Sequence, residues 1–80
     1  MAENPTSLEQ IGWAIRRIRK AQGLRQAELA GYANVGTRFV VDLEAGKPTI
    51  QMGKAIQVLE TLGCKLQVVP PPDSGQENKS

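Results

Sequence analysis

Eighty residues suffice for one domain with a modest core, so a lone monomer is only marginally stable and association with a second chain is an economical remedy. With a single cysteine, Cys64, and no histidine, the chain can build neither an internal disulfide framework nor a closed zinc site. The net charge of +2 hides an asymmetry: residues 6–69 hold nine of the ten basic side chains and five of the eight acids, a balance of +4 that suits a polyanionic partner.

In chain order, Leu8, Ile11, Ile15 and Ile18 recur at helical spacing, with Thr6 or Ser7 as cap and Glu9 or Gln10 to complete a capping box. The first helix is expected over residues 8–22, with Gly23 as its left-handed stop. Residues 26–33, with Ala27, Leu29, Ala30 and Ala33 at the small or apolar positions, predict a short second helix. Asn34-Val35-Gly36 then supplies a tight turn, because asparagine tolerates positive φ and Val35 can point inward. A third helix over residues 37–45 turns Val40 and Leu43 to the core, and Gly46-Lys47-Pro48 breaks it. Thr49 is the expected cap of a fourth helix that carries Met52, Ala55, Ile56, Leu59 and Leu62 on one face and ends at Gly63.

From Cys64 the period changes to two: Cys64, Leu66 and Val68 alternate with Lys65, Gln67 and Val69, as in a strand. A lone strand has open donors and acceptors, so two copies are expected to pair these strands across a two-fold axis through Cys64, Leu66, Val68 and Val69. A frayed tail is the alternative. Pro70-Pro71-Pro72 ends any ladder, and residues 73–80 are polar. The domain plan is a flexible segment over residues 1–6, a folded unit with its dimerisation strand over 7–69, and a proline-rich disordered tail over 70–80.

A helix-turn-helix needs a small residue where two helices cross, a turn that permits positive φ, and apolar positions that lock the second helix on the first. Ala30, Asn34, Val35, Val40 and Leu43 meet these needs in register. Thr37, Arg38, Val41 and Asp42 are left on the outward side of the third helix, whose first two turns can then enter a major groove.

The run Gly23-Leu24-Arg25-Gln26-Ala27-Glu28-Leu29-Ala30, followed by Val35 and Leu43-Glu44-Ala45-Gly46, resembles the Xre/Cro family of repressors over about residues 8–63. Arg38-Phe39, the segment from Leu43 to Thr49 and the terminal strand are most similar to HipB-type antitoxins, dimeric repressors encoded beside a HipA-type serine/threonine kinase toxin. The resemblance implies a mainly α, lambda-repressor-like bundle of four to five helices, with a carboxy-terminal β-strand pairing across a homodimer. It also implies an arginine-glutamate tie between the first and third helices, Arg19 with Glu44, and raises Gln26 above a bare capping role. Two departures stand out: Arg25 replaces a usual capping threonine, and Asn34 and Gly36 replace a usual glycine and serine.

Among individual residues, Arg38 is the main candidate for reading a base, since guanidinium can bond both acceptors of a guanine edge; a phosphate-bound or solvated arginine is the alternative. Asp42, four residues on, can hold Arg38 or accept from cytosine, or be a solvated charge. Thr37 and Val41 can touch thymine methyls or the backbone, or be plain helix surface. Gln26 can meet a phosphate at the start of the second helix, Gly36 caps the third, and Lys47 completes the DNA-facing set. Arg16, Arg17, Arg19 and Lys20 are distributed around a helix and cannot all face one partner. Trp13 and Tyr32 are read as packing or surface aromatics, and Phe39 fits the core, a dimer seam or the DNA edge. Gly12, Gly31 and Gly53 should each cost about 1 kcal/mol within a helix, with no compensating benefit assigned.

The expected function is therefore sequence-specific binding of double-stranded DNA at an inverted repeat by a homodimer, as antitoxin of a HipA-like kinase and autorepressor of its operon. The alternatives are a protein-interaction module and a generic Xre-family repressor without a toxin partner. No catalytic constellation, metal site or cofactor is expected, and without a signal segment or a run of about 20 apolar residues the protein is expected in the cytoplasm, away from membranes.

Overall fold

The computed structural model describes residues 7–72. Its secondary structure consists of four helices: α1 (Leu8–Ala21), α2 (Gln26–Ala33), α3 (Thr37–Glu44) and α4 (Met52–Thr61). Ser7 starts α1 by accepting the Gln10 N–H on its side-chain oxygen at 3.1 Å, which satisfies one of the donors that a helix start leaves open. Thr6, the other expected cap, lies outside the described residues. None of the four helices is long and apolar enough to cross a membrane.

All four helices stop by the same device. Positive φ among the described residues occurs only at Gly23, Asn34, Gly46 and Gly63, one after each helix. The next residue then reaches back five positions: Leu24 N–H to Arg19 O at 3.1 Å, Val35 to Ala30 at 3.0 Å, Lys47 to Asp42 at 3.1 Å and Cys64 to Leu59 at 2.8 Å. This is the Schellman closure, in which an apolar side chain at the bonding position usually folds back onto the helix. Leu24, Val35 and Cys64 do so, packing against the core. The end of α3 departs from the pattern, because Lys47 occupies that position. Asn34, at φ 61° and ψ 44°, makes the tight turn between α2 and α3 as its tolerance of the left-handed region predicts.

Ile15, Leu29, Val40, Leu43 and Val58 are fully buried, with Ala30, Ala33, Ala55 and Leu62 filling the space between them. At roughly 1.5–3 kcal/mol for each large aliphatic side chain removed from water, this cluster is the main source of stability. Helix α3 packs on both α1 and α2, and α4 packs on α2. Two glycines set the closest approaches. A Cβ on Gly12 would lie 2.5 Å from the Leu43 carbonyl oxygen, and one on Gly46 would lie 2.7 Å from the Glu9 Cα, so the end of α3 is wedged against the backbone of α1. Gly12 thereby has the benefit that periodicity left unassigned, while Gly31 and Gly53 face open space.

Several expectations are corrected. Helix α4 begins at Met52 with Gln51 as its cap, and Thr49 lies in the preceding turn, because Ile50 is drawn onto the core before the helix can start. The buried face of α4 is Ala55, Val58 and Leu62; Met52 is 59% exposed. Ala55, Leu59 and Leu62 meet the core as expected, and Val58 joins them where Met52 does not. Residues 64–69 form no strand within the chain, for the physical reason that a strand requires a ladder and no other segment among the described residues pairs with this one. The expected tail beyond residue 72 lies outside the described residues.

Candidate nucleic-acid interface

The candidate interface rests on a buried polar clamp. Arg19 Nε donates to Glu44 Oε2 at 2.6 Å, its Nη2 donates to Glu44 Oε1 at 3.1 Å, and its Nη1 donates to the Leu24 carbonyl at 2.7 Å. The bidentate guanidinium-carboxylate fork is nearly dry, with side-chain exposures of 7% and 4%. Gln26 Nε2 adds a bond to Glu44 Oε1 at 3.0 Å. One carboxylate therefore joins α1, the start of α2 and the end of α3. No buried side-chain polar atom among the described residues lacks a partner, which is the condition under which a buried ion pair is tolerated.

This clamp accounts for the basic run of α1. Arg19 turns inward, whereas Arg16, Arg17 and Lys20 are exposed. Helical spacing brings those three within about 100° of arc with Trp13, whose ring lies 4.8 Å from the Arg17 guanidinium carbon. Three of the four cations do share one face. Tyr32 is exposed on α2, and Phe39 packs against the core with the Lys54 ammonium 5.9 Å from its ring.

On α3 the outward arc holds Thr37 and Arg38, both exposed, with Val41 and Asp42 half-buried beside them. Gly36 caps the helix at φ −76° and offers no side-chain acceptor; its carbonyl takes the Phe39 N–H at 3.0 Å. Asp42 forms ion pairs with two cations through the same oxygen: Arg38 Nε lies 3.2 Å from Oδ1 and Lys47 Nζ lies 3.7 Å from it. The second contact is produced by the end of α3. With Gly46 left-handed, the chain returns Lys47 over the last turn, and an ion pair stands where a Schellman closure usually has an apolar contact.

Gln26 lies at the start of α2, half-buried against the clamp. Its amide nitrogen gives one of its two N–H groups to Glu44. The cap of α2 is also altered: Glu28 Oε1 accepts the Arg25 N–H at 2.8 Å, but arginine has no acceptor to return to the helix. Half a capping box remains. Gly36, Thr37, Arg38, Val41, Asp42 and Lys47 thus lie on α3 or beside its ends, and Gln26 joins the clamp through Glu44. The Lys47–Asp42 pair was missed; its signal is a lysine five residues after an acid across a single glycine stop.

The helix-turn-helix family model matches residues 15–69. The chain belongs to this family, in its Xre/Cro form. It is 56% identical over 71 residues, covering 89% of this chain and 93% of the relative, to an uncharacterized HTH-type transcriptional regulator, y4mF, of Sinorhizobium fredii. Among solved structures it is similar to the clp gene regulator ClgR of C. glutamicum, with 27% identity and a TM-score of 0.67 over 82% of this chain and 85% of that one. A chain of the HipA-HipB-O2-O3 complex superposes with a TM-score of 0.78 at 17% identity, over 86% of this chain and 97% of that one, a likeness of fold.

Proposed function

We propose that this helix-turn-helix protein is a dimeric, sequence-specific repressor that reads duplex DNA with α3. The observation that carries the reading is the outward face of α3, where Thr37, Arg38, Val41 and Asp42 project from a helix whose other side is locked by Val40, Leu43 and the Glu44 clamp. A rigid support is what base reading demands, since a hydrogen bond to a base edge discriminates only when its donor is held in register. Gly36 and Lys47 stand at either end of this face to meet the backbone, and the transcriptional regulator y4mF supports the same role.

The dimer is proposed to form through residues 64–69. Leu66, Val68 and Val69 are 47%, 88% and 71% exposed, a large apolar outlay for a segment with an unpaired backbone. An apolar groove of about 560 Å³ lies between α1 and this segment, lined in part by Ile11, Ile18, Leu59 and Cys64. A second copy that adds its own strand would cover both groove and edge. Two α3 helices would then enter successive major grooves about 34 Å apart on an inverted repeat.

The narrower role is that of an antitoxin for a HipA-like kinase and an autorepressor of the shared operon, for which the likeness to the HipA-HipB-O2-O3 complex is the support. The test is electrophoretic mobility shift on the promoter of the protein's own gene. Sequence-selective binding that weakens steeply with salt is expected, and Arg38→Ala should lose the selectivity. Binding without sequence preference, or none, would favour a protein-interaction module instead. Removing residues 64–80 should convert dimer to monomer in ultracentrifugation, and an unchanged dimer would rule out strand pairing. Co-purification with the product of a neighbouring kinase gene tests the antitoxin role.

A further inference from the structure

The placement of Lys47 over Asp42 has consequences for how Arg38 meets DNA. Arg38 is largely exposed, with a side-chain exposure of 79%, yet it is tied through Nε, the inner nitrogen of its fork, to Asp42 Oδ1 at 3.2 Å. That contact leaves Nη1 and Nη2 as the outer edge. Two parallel donors on one edge match the O6 and N7 acceptors of guanine in the major groove, whereas adenine presents a donor where guanine has O6. Asp42 is itself held: it lies at 22% side-chain exposure, and Lys47 approaches the same oxygen at 3.7 Å. The position of Lys47 is in turn set by its N–H bond to the Asp42 carbonyl at 3.1 Å and by Gly46, seated against the backbone of Glu9.

We propose that Asp42 is a positioning residue that presents Arg38 edge-on to a single guanine, and that Lys47 offsets the Asp42 charge so that this acid does not repel the phosphate backbone. The proposal rests on the reading of α3 as the DNA-facing helix. An unaccompanied carboxylate in a major groove would oppose binding at every sequence. Here the trio carries a net charge of +1, and its acid faces the inner side of the guanidinium. Asp42 thus acts on selectivity through Arg38, and Lys47 acts on affinity for all sequences alike.

The experiment uses the full-length protein and a duplex selected from a random-sequence library by the wild type. Each position of that duplex is then varied through all four base pairs, and binding is measured by fluorescence anisotropy at several salt concentrations. Wild type is expected to prefer guanine at one position per half-site by about five- to 100-fold. Asp42→Ala should reduce that preference at least threefold at this position and leave the others unchanged. Asp42→Asn, which keeps an acceptor oxygen for Nε, should restore most of it. In an Arg38→Ala background, Asp42→Ala should remove no further preference. Lys47→Gln should weaken all duplexes alike, by a few-fold, and this loss should shrink when Asp42 is alanine.

Asp42→Ala retaining the wild-type preference, or losing affinity equally at every base, would overturn the positioning role while leaving α3 as the reading helix. Wild type with no base preference at all would remove both. Thermal melting of each variant separates these outcomes from failure to fold.

Discussion

Two acids on α3 stand two residues apart, and each pairs with an arginine, yet their surroundings are opposite. Glu44 meets Arg19 at side-chain exposures of 4% and 7% and is joined by Gln26. Asp42 meets Arg38 at exposures of 22% and 79% and is joined by Lys47. Two residues along a helix rotate a side chain by about 200°, so one acid faces the bundle and the other faces away. The pairs are chemically alike. Burial separates them: the inner pair has given up its water and depends on its partners, while the outer pair leaves its arginine in water and available for exchange with a ligand.

The sharpest way to break this comparison is to remove the inner acid. Glu44→Ala leaves the Arg19 guanidinium buried with only the Leu24 carbonyl, and should cost about 3–5 kcal/mol. In a domain this small each kcal/mol lowers the melting temperature by roughly 4–8 °C, so calorimetry should show a collapse of the transition. The double substitution Arg19→Met with Glu44→Leu removes both charges and should recover most of the loss. A melting temperature for Glu44→Ala within about 3 °C of wild type would mean that the inner pair is as dispensable as the outer one.

The next effect concerns how α1 sits against the end of α3, where both acids are borne. Gly12→Ala places a methyl 2.5 Å from the Leu43 carbonyl oxygen, which is backbone and cannot yield easily, and should destabilise by about 1–3 kcal/mol. Gly31→Ala on α2 faces open space and should stabilise by about 0.5–1 kcal/mol, since alanine is the better helix former. The same substitution thus changes sign between two helices, and chemical denaturation of the pair checks it. Arg25→Thr should add about 1 kcal/mol by returning a side-chain acceptor to the start of α2, where Glu28 already supplies half the box.

What could be read from the sequence divides along the same line. The second helix was legible to the residue, and the first and third to within one, because their stops are local: Gly23, Asn34 and Gly46 close a turn with neighbours five residues away. The outward set of α3 was legible because helical period alone assigns Arg38 and Asp42 to the side opposite Val40 and Leu43. The value of Gly12 was not, since it depends on carbonyls some 30 residues later in the chain. Val58 escaped because two neighbouring arcs of α4 are almost equally apolar, and only contact with α2 selects between them. Residues 64–69 alternate as a strand does, but a ladder is a property of two segments, and one chain supplies a single segment.

The smallest expected effect on stability is the most informative about α3. Asp42→Ala breaks two contacts, at 3.2 Å to Arg38 and 3.7 Å to Lys47, each between the half-buried acid and a cation whose side chain is at least half exposed. Such pairs contribute about 0–1 kcal/mol, and an i,i+4 pair on a helix contributes about 0.3–0.5 kcal/mol. The variant should therefore melt within a few degrees of wild type, and the difference should shrink as salt is raised, because screening already weakens the interaction it removes. If the outer acid held the fold together, its loss would approach that of Glu44 and would persist at high salt. A near-neutral melt combined with a selective loss at one base position would instead place the two acids of α3 in separate roles, one supporting the helix and the other aiming what the helix carries.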